Sequence, residues 1–162
     1  MTMKPFEDVV ATHGAMVLRV CRSLLGPHDA DDAWSETFLA AMRGYPDLRA
    51  DSNVAGWLAT IAHNKSIDLL RHRARTPLPV DDIHERSASV TVDGPEPADE
   101  ALRGALDALT PKQRGAVIYH HIAGLPYAEV GVLLDSSEAA ARRSAADGIA
   151  NLRKTYQRGE RP

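Results

Sequence analysis

The segment TPLPVDDIHERSASVTVDGPEPADE, residues 76–100, interrupts the helical periodicity that dominates the rest of the chain. It contains four prolines and seven acidic residues against a single arginine. Proline and like-charge repulsion both oppose a packed helix, so we expect a flexible, extended acidic linker here. The sequence therefore predicts two helical domains, residues 1–75 and 101–162, one on each side of this linker.

Apolar residues recur at helical spacing three times before the linker. The predicted helices run from Phe6 to Gly26-Pro27, from Asp29 to Gly44, and from Ser52 or Asn53 to about Arg73. Asp29 and Ser52 or Asn53 are the expected caps of the second and third helices. Three helices with short connections in about 70 residues predict a compact bundle.

The second domain has sharper signals for its helix ends. Thr110-Pro111-Lys112-Gln113 reads as a capping box with proline at the first helical position. A short helix from Pro126, a turn at Asp135-Ser136 and a longer helix from Ser137 to about Lys154 fit a helix-turn-helix. The predicted fold class is all-α, with an N-terminal bundle and a C-terminal helix-turn-helix.

Composition excludes several classes of protein. No window approaches the ~18 uninterrupted apolar residues of a membrane span, and MTMKPFEDVV lacks the apolar core of a secretory signal. Cys21 is the only cysteine, so no internal disulfide or cysteine-cluster zinc site can form. We expect a cytoplasmic protein without membrane insertion, cofactor or metal, and no catalytic triad or phosphate-binding loop is found in the sequence.

The third predicted helix, which includes GWLATIAHNKSIDLLRHRAR (56–75), carries two different faces. At 100° per residue, one arc holds the apolar residues Val54, Trp57, Leu58, Ile61, Ala62 and Leu69. A neighbouring arc holds Thr60, Asn64, Arg71 and Arg75, with Asp68 at its border. Asparagine can donate to and accept from a base edge, and arginine binds phosphate. A core helix with a solvated polar face is the simpler alternative from the pattern alone.

The same helix carries the residues of a known motif. Trp57-Leu58, Ile61-Ala62, Asn64, Asp68 and Arg71 reproduce W-L-x-x-I-A-x-N-x-x-x-D-x-x-R. This pattern resembles the promoter-melting segment of the extracytoplasmic-function sigma factors of bacterial RNA polymerase. The resemblance implies an alternative sigma factor, which is not an enzyme but directs promoter recognition and melting of the −10 element.

Three further segments are similar to the same family and occur in its order. ADDAWSETF (30–38) is similar to the segment that docks on the polymerase clamp, LTPKQR (109–114) to the start of the second domain, and GLPYAEV (124–130) to G-x-S-Y-x-E-I. Together the similarities cover about residues 5–75 and 100–155. Four motifs in the correct order are far more specific than any one of them.

The resemblance implies roles for particular residues and partners. It assigns Asp31, Asp32, Ser35 and Glu36 to the clamp helices of the largest polymerase subunit. It assigns Asn53, Trp57, Asn64, Lys65, Asp68, Arg71 and Arg75 to −10 DNA, with Arg73 as a further phosphate contact and the loop 49–53 as a reader of bases. The expected partners are core RNA polymerase, including the flap of its second-largest subunit, and promoter DNA. Whether an anti-sigma factor is also a partner stays open.

The last helix departs from the family pattern. The family usually has T-V-K-S-R at this place, followed by further basic residues. This chain has Ala140-Ala141 for T-V, Arg142-Arg143 for K-S and Ser144 for the arginine, and Asp147 replaces another basic residue. The −35 candidates that remain are Ser137, Glu138, Arg142, Arg143 and Ser144. Because each phosphate contact adds salt-dependent affinity, the lost cations predict weak or altered −35 binding.

Two alternative functions stay open at this stage. The first is a sigma-like DNA-binding or protein-binding regulator that does not read the −35 element by itself, which the altered last helix favours. The second is a small metal-dependent hydrolase that would use His28, Asp29 and another histidine. The Asn64, Asp68 and Arg71 set favours the sigma factor over both.

Overall fold

The computed structural model describes residues 3–75 and 97–159, and the regular secondary structure of these residues is helical. Within these two ranges, seven α-helices follow one another in the order α1 Phe6–Leu25, α2 Pro27–Gly44, α3 Val54–Arg75, α4 Pro97–Asp107, α5 Pro111–Val117, α6 Tyr127–Leu133 and α7 Glu138–Gly159. A 3₁₀ turn, Tyr45–Asp47, follows α2, and a π-helical turn, Ile118–Ile122, continues α5. The predicted all-α fold class is confirmed. No helix in the described ranges has the length and apolarity to cross a bilayer.

The predicted linker ends earlier than we expected. Helix α4 begins at Pro97, so residues 97–100 are helical rather than extended. Proline is accepted in the first turn of a helix because the amide hydrogen that it lacks has no intrahelical partner there. The remainder of the predicted linker, residues 76–96, lies outside the described residues.

The first three helices pack as the predicted bundle. Gly26, with a φ of 93°, separates α1 from α2, and Pro27 opens α2. Glycine adopts this left-handed conformation at little cost, which explains why the first helix ends where predicted. Small buried side chains at the helix contacts allow close packing: Ala30, Ala33, Ala41, Ala59 and Ala62.

Most of the predicted caps have the expected partners. Asn53 accepts a hydrogen bond from the Gly56 amide at 3.2 Å, and Thr110 forms the full capping box with Gln113. Ser137 accepts from the Ala140 amide at 3.1 Å. The predicted Asp29 cap is wrong: α2 begins at Pro27 with Gly26 as its cap, so Asp29 lies inside the helix.

The two domains share a core, which the sequence did not predict. Ile118 and Leu125 of the second domain belong to the same buried apolar cluster as Cys21 and Leu58 of the first. Gly56 lies at a close approach of the two domains, since a Cβ added there would lie 2.8 Å from Leu125 Cδ2. The absence of a side chain at Gly56 therefore lets the start of α3 pack against the second domain.

A polar contact accompanies this shared core. His63 Nδ1 is hydrogen-bonded to the hydroxyl of Tyr119, which is 1% exposed, and the two rings meet edge to face. A second polar contact joins the domains, where the Arg103 guanidinium donates to the backbone oxygen of Arg22. Buried polar groups need hydrogen-bond partners, and His63 supplies one for the buried hydroxyl of Tyr119.

The His63 contact predicts a pH dependence of stability. Burial lowers the pKa of His63 below its ordinary 6.5, so the unfolded chain takes up a proton before the folded protein does. Stability is therefore full above about pH 6.5 and falls as the pH drops from there through the folded-state pKa. Urea unfolding at pH 7.5 and 5.5 should show a smaller loss in His63→Gln, which keeps an acceptor for Tyr119 but does not titrate. An identical loss in both proteins would contradict this explanation.

Candidate nucleic-acid interface

The exposed face of α3 carries the polar side chains that the motif singled out. Asn64, Asp68, Arg71 and Arg75 are all exposed, whereas Leu58 on the other side of the helix is fully buried. The burial pattern thus confirms that α3 has a packing face and a polar face. Their exposure makes the polar residues available to a ligand, and their order along the helix forms a row of one amide, one carboxylate and two guanidinium groups.

Two of the predicted −10 residues lie at the edge of the core instead. Trp57 is half-buried and packs near Tyr45, with ring centroids 6.5 Å apart, and a Cβ at Gly44 would lie 3.3 Å from its ring. Lys65 is also half-buried, as expected for a stem that lies along apolar surface. Trp57 therefore supports the bundle, and its ring is only partly available for stacking on a base.

Arg73, a predicted phosphate contact, has a partner inside the bundle, which the sequence did not indicate. Its guanidinium is paired with the carboxylate of Asp29, which is 7% exposed, across α2 and α3. A buried carboxylate needs such a pair because burial of an isolated charge is costly. The Asp29 carboxylate is therefore engaged by Arg73 rather than free to bind a metal ion together with His28. This pairing removes the observation that motivated the hydrolase alternative.

A cleft of about 420 Å³ lies between the start of α1 and the loop that precedes α3. Lys4, His13, Tyr45 and Arg49 are among its lining residues. Burial, followed by the charge of Lys4, lowers the pKa of His13 and keeps its imidazole neutral. The cleft borders the loop 49–53 that we expected to read bases, and its mixture of cations, a neutral imidazole and an aromatic ring suits a flat polar group. No sequence signal pointed to it.

The outer face of α2 presents the predicted polymerase contacts together with two apolar side chains. Asp31, Asp32, Ser35 and Glu36 are exposed. Leu39 and Met42 continue the same line along the helix and are 46% and 52% exposed. The sequence analysis missed both, since their helical spacing is that of core residues. An exposed apolar pair beside acidic residues is typical of a protein-binding surface.

The helix-turn-helix is formed by α6 and α7 with a tight turn between them. Gly131 allows the close approach, because a Cβ there would lie 2.8 Å from the Ser136 backbone oxygen. Ala141, Ala145 and Gly148 are buried on the inner side of α7, as the predicted packing stripe requires. The motif therefore has the compact geometry that a recognition helix needs.

The outer side of the first turns of α7, residues 137–147, is electrostatically balanced. Ser137, Glu138, Arg142 and Arg143 are exposed, and so is Asp147, whereas Ser144 is half-buried and less accessible than expected. Two carboxylates and two guanidinium groups sum to zero charge over these residues, and the exposed cations Arg153 and Lys154 follow further along the helix. Since non-specific DNA affinity comes from cations that neutralise phosphates, the first turns of α7 offer little of it.

Two family models match the chain. Sigma-70 region 2 matches residues 9–76, and Sigma-70, region 4 matches residues 99–152. These ranges correspond to the two domains of the structure and flank the proline-rich segment.

Several proteins are similar to this chain over most of its length. The ECF RNA polymerase sigma factor SigE of Mycolicibacterium smegmatis is 31% identical over 82% of this chain, which spans 54% of that protein. RNA polymerase sigma factor CarQ of Myxococcus xanthus is 31% identical over 92% of this chain and 87% of its own length. The SigM sigma factor of Mycobacterium tuberculosis is 30% identical over 91% of this chain and 74% of its own.

Solved structures agree with the sequence comparison. CnrH in complex with the cytosolic domain of CnrY has a TM-score of 0.65 and 25% identity, covering 92% of this chain and 85% of that one. The sigma factor RpoE of Bartonella quintana, in complex with the anti-sigma factor NepR, has a TM-score of 0.70, and the similarity covers 93% and 98% of the two chains. At 20% identity the likeness to RpoE concerns the fold alone. With both family models and these relatives matching across its two domains, the chain belongs to the extracytoplasmic-function sigma factors of bacterial RNA polymerase.

Proposed function

We propose that this protein binds core RNA polymerase through the outer face of α2 and opens promoter DNA at the −10 element through the polar face of α3. The observation that carries the proposal is the exposure of Asn64, Asp68, Arg71 and Arg75 along one side of a helix whose other side is sealed in the bundle. A plain structural helix needs no such ordered row of base-compatible and phosphate-compatible groups.

Strand opening by such a surface requires that bases leave the stack. Unstacking and unpairing a base costs a few kcal/mol, which new contacts to the single strand must offset. In our proposal Asn64 supplies hydrogen bonds to a base edge, and Arg71 and Arg75 bind the phosphates on either side. The cleft beside the loop 49–53 is a concave site that could accept an extruded base.

Run-off transcription tests the proposal as a whole. Core polymerase mixed with the purified protein should produce transcripts from a subset of genomic promoter fragments that core enzyme alone does not transcribe. The same reaction without added protein is the control for residual sigma factor. Identical product patterns in the two reactions, despite co-purification of the protein with core enzyme, would exclude the proposed initiation activity.

The apolar pair on α2 predicts a specific loss of polymerase binding. Leu39→Asp should weaken binding to core polymerase by roughly tenfold or more, because it places a charge at the centre of an interface whose apolar residues lose their water on binding. Leu70→Asp is the matched control, since Leu70 on α3 is 42% exposed against 46% for Leu39. Co-purification and fluorescence titration with core enzyme would measure both, and equal affinities would remove Leu39 from the interface.

A second candidate function follows from the balanced charge of the first turns of α7, residues 137–147. A sigma-like regulator that contacts proteins rather than the −35 element would need no excess of cations on this face. Replacing Arg142 and Arg143 together with alanine separates the two functions: unchanged footprinting protection at the −35 element would favour the regulator. We also include a protein of the anti-sigma class among the candidate partners, because the solved relative CnrH is bound by the cytosolic domain of CnrY.

A further inference from the structure

The start of α3 is in contact with α6 of the second domain. A Cβ at Gly56 would lie 2.8 Å from Leu125 Cδ2 and 2.9 Å from Glu129 Oε2. The same point lies 2.9 Å from Nδ2 of Asn53. Leu125 is 1% exposed, so it anchors the beginning of α6 in the shared core. The Glu129 carboxylate of the second domain is therefore held beside Asn53, which belongs to the first domain.

Asn53 uses the two ends of its side-chain amide differently. Its Oδ1 accepts a hydrogen bond from the Gly56 amide at 3.2 Å and so caps α3. Its Nδ2, the donor end, lies on the side where Glu129 is found. The free amides in the first turn of a helix also give that end a positive potential, which favours a nearby carboxylate. A donor and a positive potential together stabilise the Glu129 anion at this position.

The same features would serve a DNA strand in the proposed function. Asn53 is one of the predicted −10 residues, and the positive end of a helix attracts phosphates as it attracts carboxylates. Glu129 brings a negative charge to the place where a strand would bring one, and like charges repel each other. Asn53 itself remains exposed. The effect of Glu129 is therefore one of charge and of an occupied donor, not of steric cover.

We propose that Glu129 makes the closed arrangement of the two domains autoinhibitory: its carboxylate takes the place of a DNA phosphate beside Asn53, so the free chain binds single-stranded DNA weakly until the second domain moves away. The polar row from Asn64 to Arg75 stays exposed in the closed arrangement. Inhibition thus acts at the end of α3 that adjoins the loop 49–53. The inference rests on the proposed function, since it concerns access to the DNA surface that the proposal assigns to α3.

Binding of single-stranded DNA to the full chain without polymerase tests the inference. The probe is a fluorescent pool of short strands of random sequence, followed by anisotropy at low salt, where charges are least screened. Glu129→Gln keeps the shape of the side chain and removes its charge, and it should raise the affinity about two- to fivefold, as expected for an exposed charge. Asp147→Asn is the matched control, because it removes the same charge from an exposed position on α7 of the same domain. An equal change of affinity in the two variants would overturn the inference.

Gly56→Ala tests the same contact from the other domain. The added Cβ would meet Leu125 and Glu129, so the closed arrangement should be disfavoured and the affinity for the same probe should rise roughly five- to fiftyfold. Opening has a separate readout in Cys21, the only cysteine, which is fully buried in the shared core. Burial also raises the pKa of the Cys21 thiol to about 11, which keeps it unreactive in the closed chain.

Reaction of Cys21 with a thiol reagent should therefore be faster in Gly56→Ala than in the unaltered chain, while circular dichroism shows that both are folded. Faster reaction without stronger DNA binding would overturn the inference, because opening would then release no DNA surface. An unchanged rate together with an unchanged affinity would overturn it as well, since the contact at Gly56 would then not hold the domains closed.

A further variant shows where the additional DNA is bound. Arg71→Ala, combined with Glu129→Gln, should remove most of the gain in affinity, because Arg71 lies on the polar face of α3 and Glu129 lies on the other domain. A gain that persists in full would place the DNA elsewhere and overturn the inference.

The outcome for the free chain is separable from the outcome for the proposed function. A holoenzyme that transcribes, while the free Glu129→Gln chain binds DNA no better than the unaltered chain, would overturn the inference alone. A protein that binds core enzyme and supports no transcription, whatever the affinity of its variants for single strands, would contradict the proposed function itself.

Discussion

Alanine at both Asn64 and Arg71 is expected to reduce promoter opening by about two orders of magnitude. The estimate takes a hydrogen-bonded base contact and a charged phosphate contact at roughly 1–3 kcal/mol each. Both side chains are exposed, so their removal should leave the bundle intact. The proposed polymerase surface lies on α2, so affinity for core enzyme should also be unchanged.

Permanganate reactivity of unpaired thymines near the transcription start would measure the opening. Arg19→Ala is a suitable control, because Arg19 is an exposed arginine on α1, away from the polar face of α3. Circular dichroism and co-purification with core polymerase would establish that the double variant is folded and bound. Thymine reactivity equal to that of the unaltered holoenzyme would show that the polar face of α3 has no part in strand separation.

The second large effect is expected at Tyr119, the largest fully buried side chain of the described residues. Tyr119→Ala should lower the free energy of unfolding by about 3–5 kcal/mol, as for other large aromatic residues in cores. Tyr119→Phe should cost about 0.5–1.5 kcal/mol, because it removes the hydrogen bond to the half-buried His63 ring. Burial also raises the pKa of the Tyr119 phenol, so it stays protonated as a hydrogen-bonding hydroxyl.

Urea unfolding at pH 7.5, followed by far-ultraviolet circular dichroism, would measure these changes. Tyr156→Ala serves as the control, because Tyr156 is 40% exposed and its loss should cost less than about 0.5 kcal/mol. If Tyr119→Ala were no more destabilising than Tyr156→Ala, Tyr119 could not be a central packing residue between the domains.

Local structure was largely predictable because its signals are local. The period of α3 placed Leu58 inside and Asn64 outside, and both positions are confirmed. The break at Gly26 and the capping box at Thr110 were also predicted, since each depends on residues within three or four positions. In these segments the intrinsic preferences of the residues and the tertiary packing agree.

Features that depend on distant contacts could not be predicted in this way. Asp29 and Arg73 are 44 residues apart, so neither position indicates the pair. Leu39 has the spacing of a core residue, and only the packing of α2 shows that it is exposed. The π-helical turn that follows α5 packs against α1 of the first domain, and composition and periodicity give no signal for it.

The shared core has a consequence for how a promoter can be engaged. Elements centred near −10 and −35 lie about 25 base pairs apart, or about 85 Å of duplex, whereas a compact chain of this size measures only about 40 Å across. If the second domain held the −35 element while α3 held the −10 element, Leu125 would have to leave Gly56 and Tyr119 would have to leave His63. The free energy needed to break these contacts between the domains would reduce the binding free energy for polymerase. Contacts that stabilise the isolated protein therefore oppose its opening on a promoter. Gly56 lies at the contact between the domains that would have to separate.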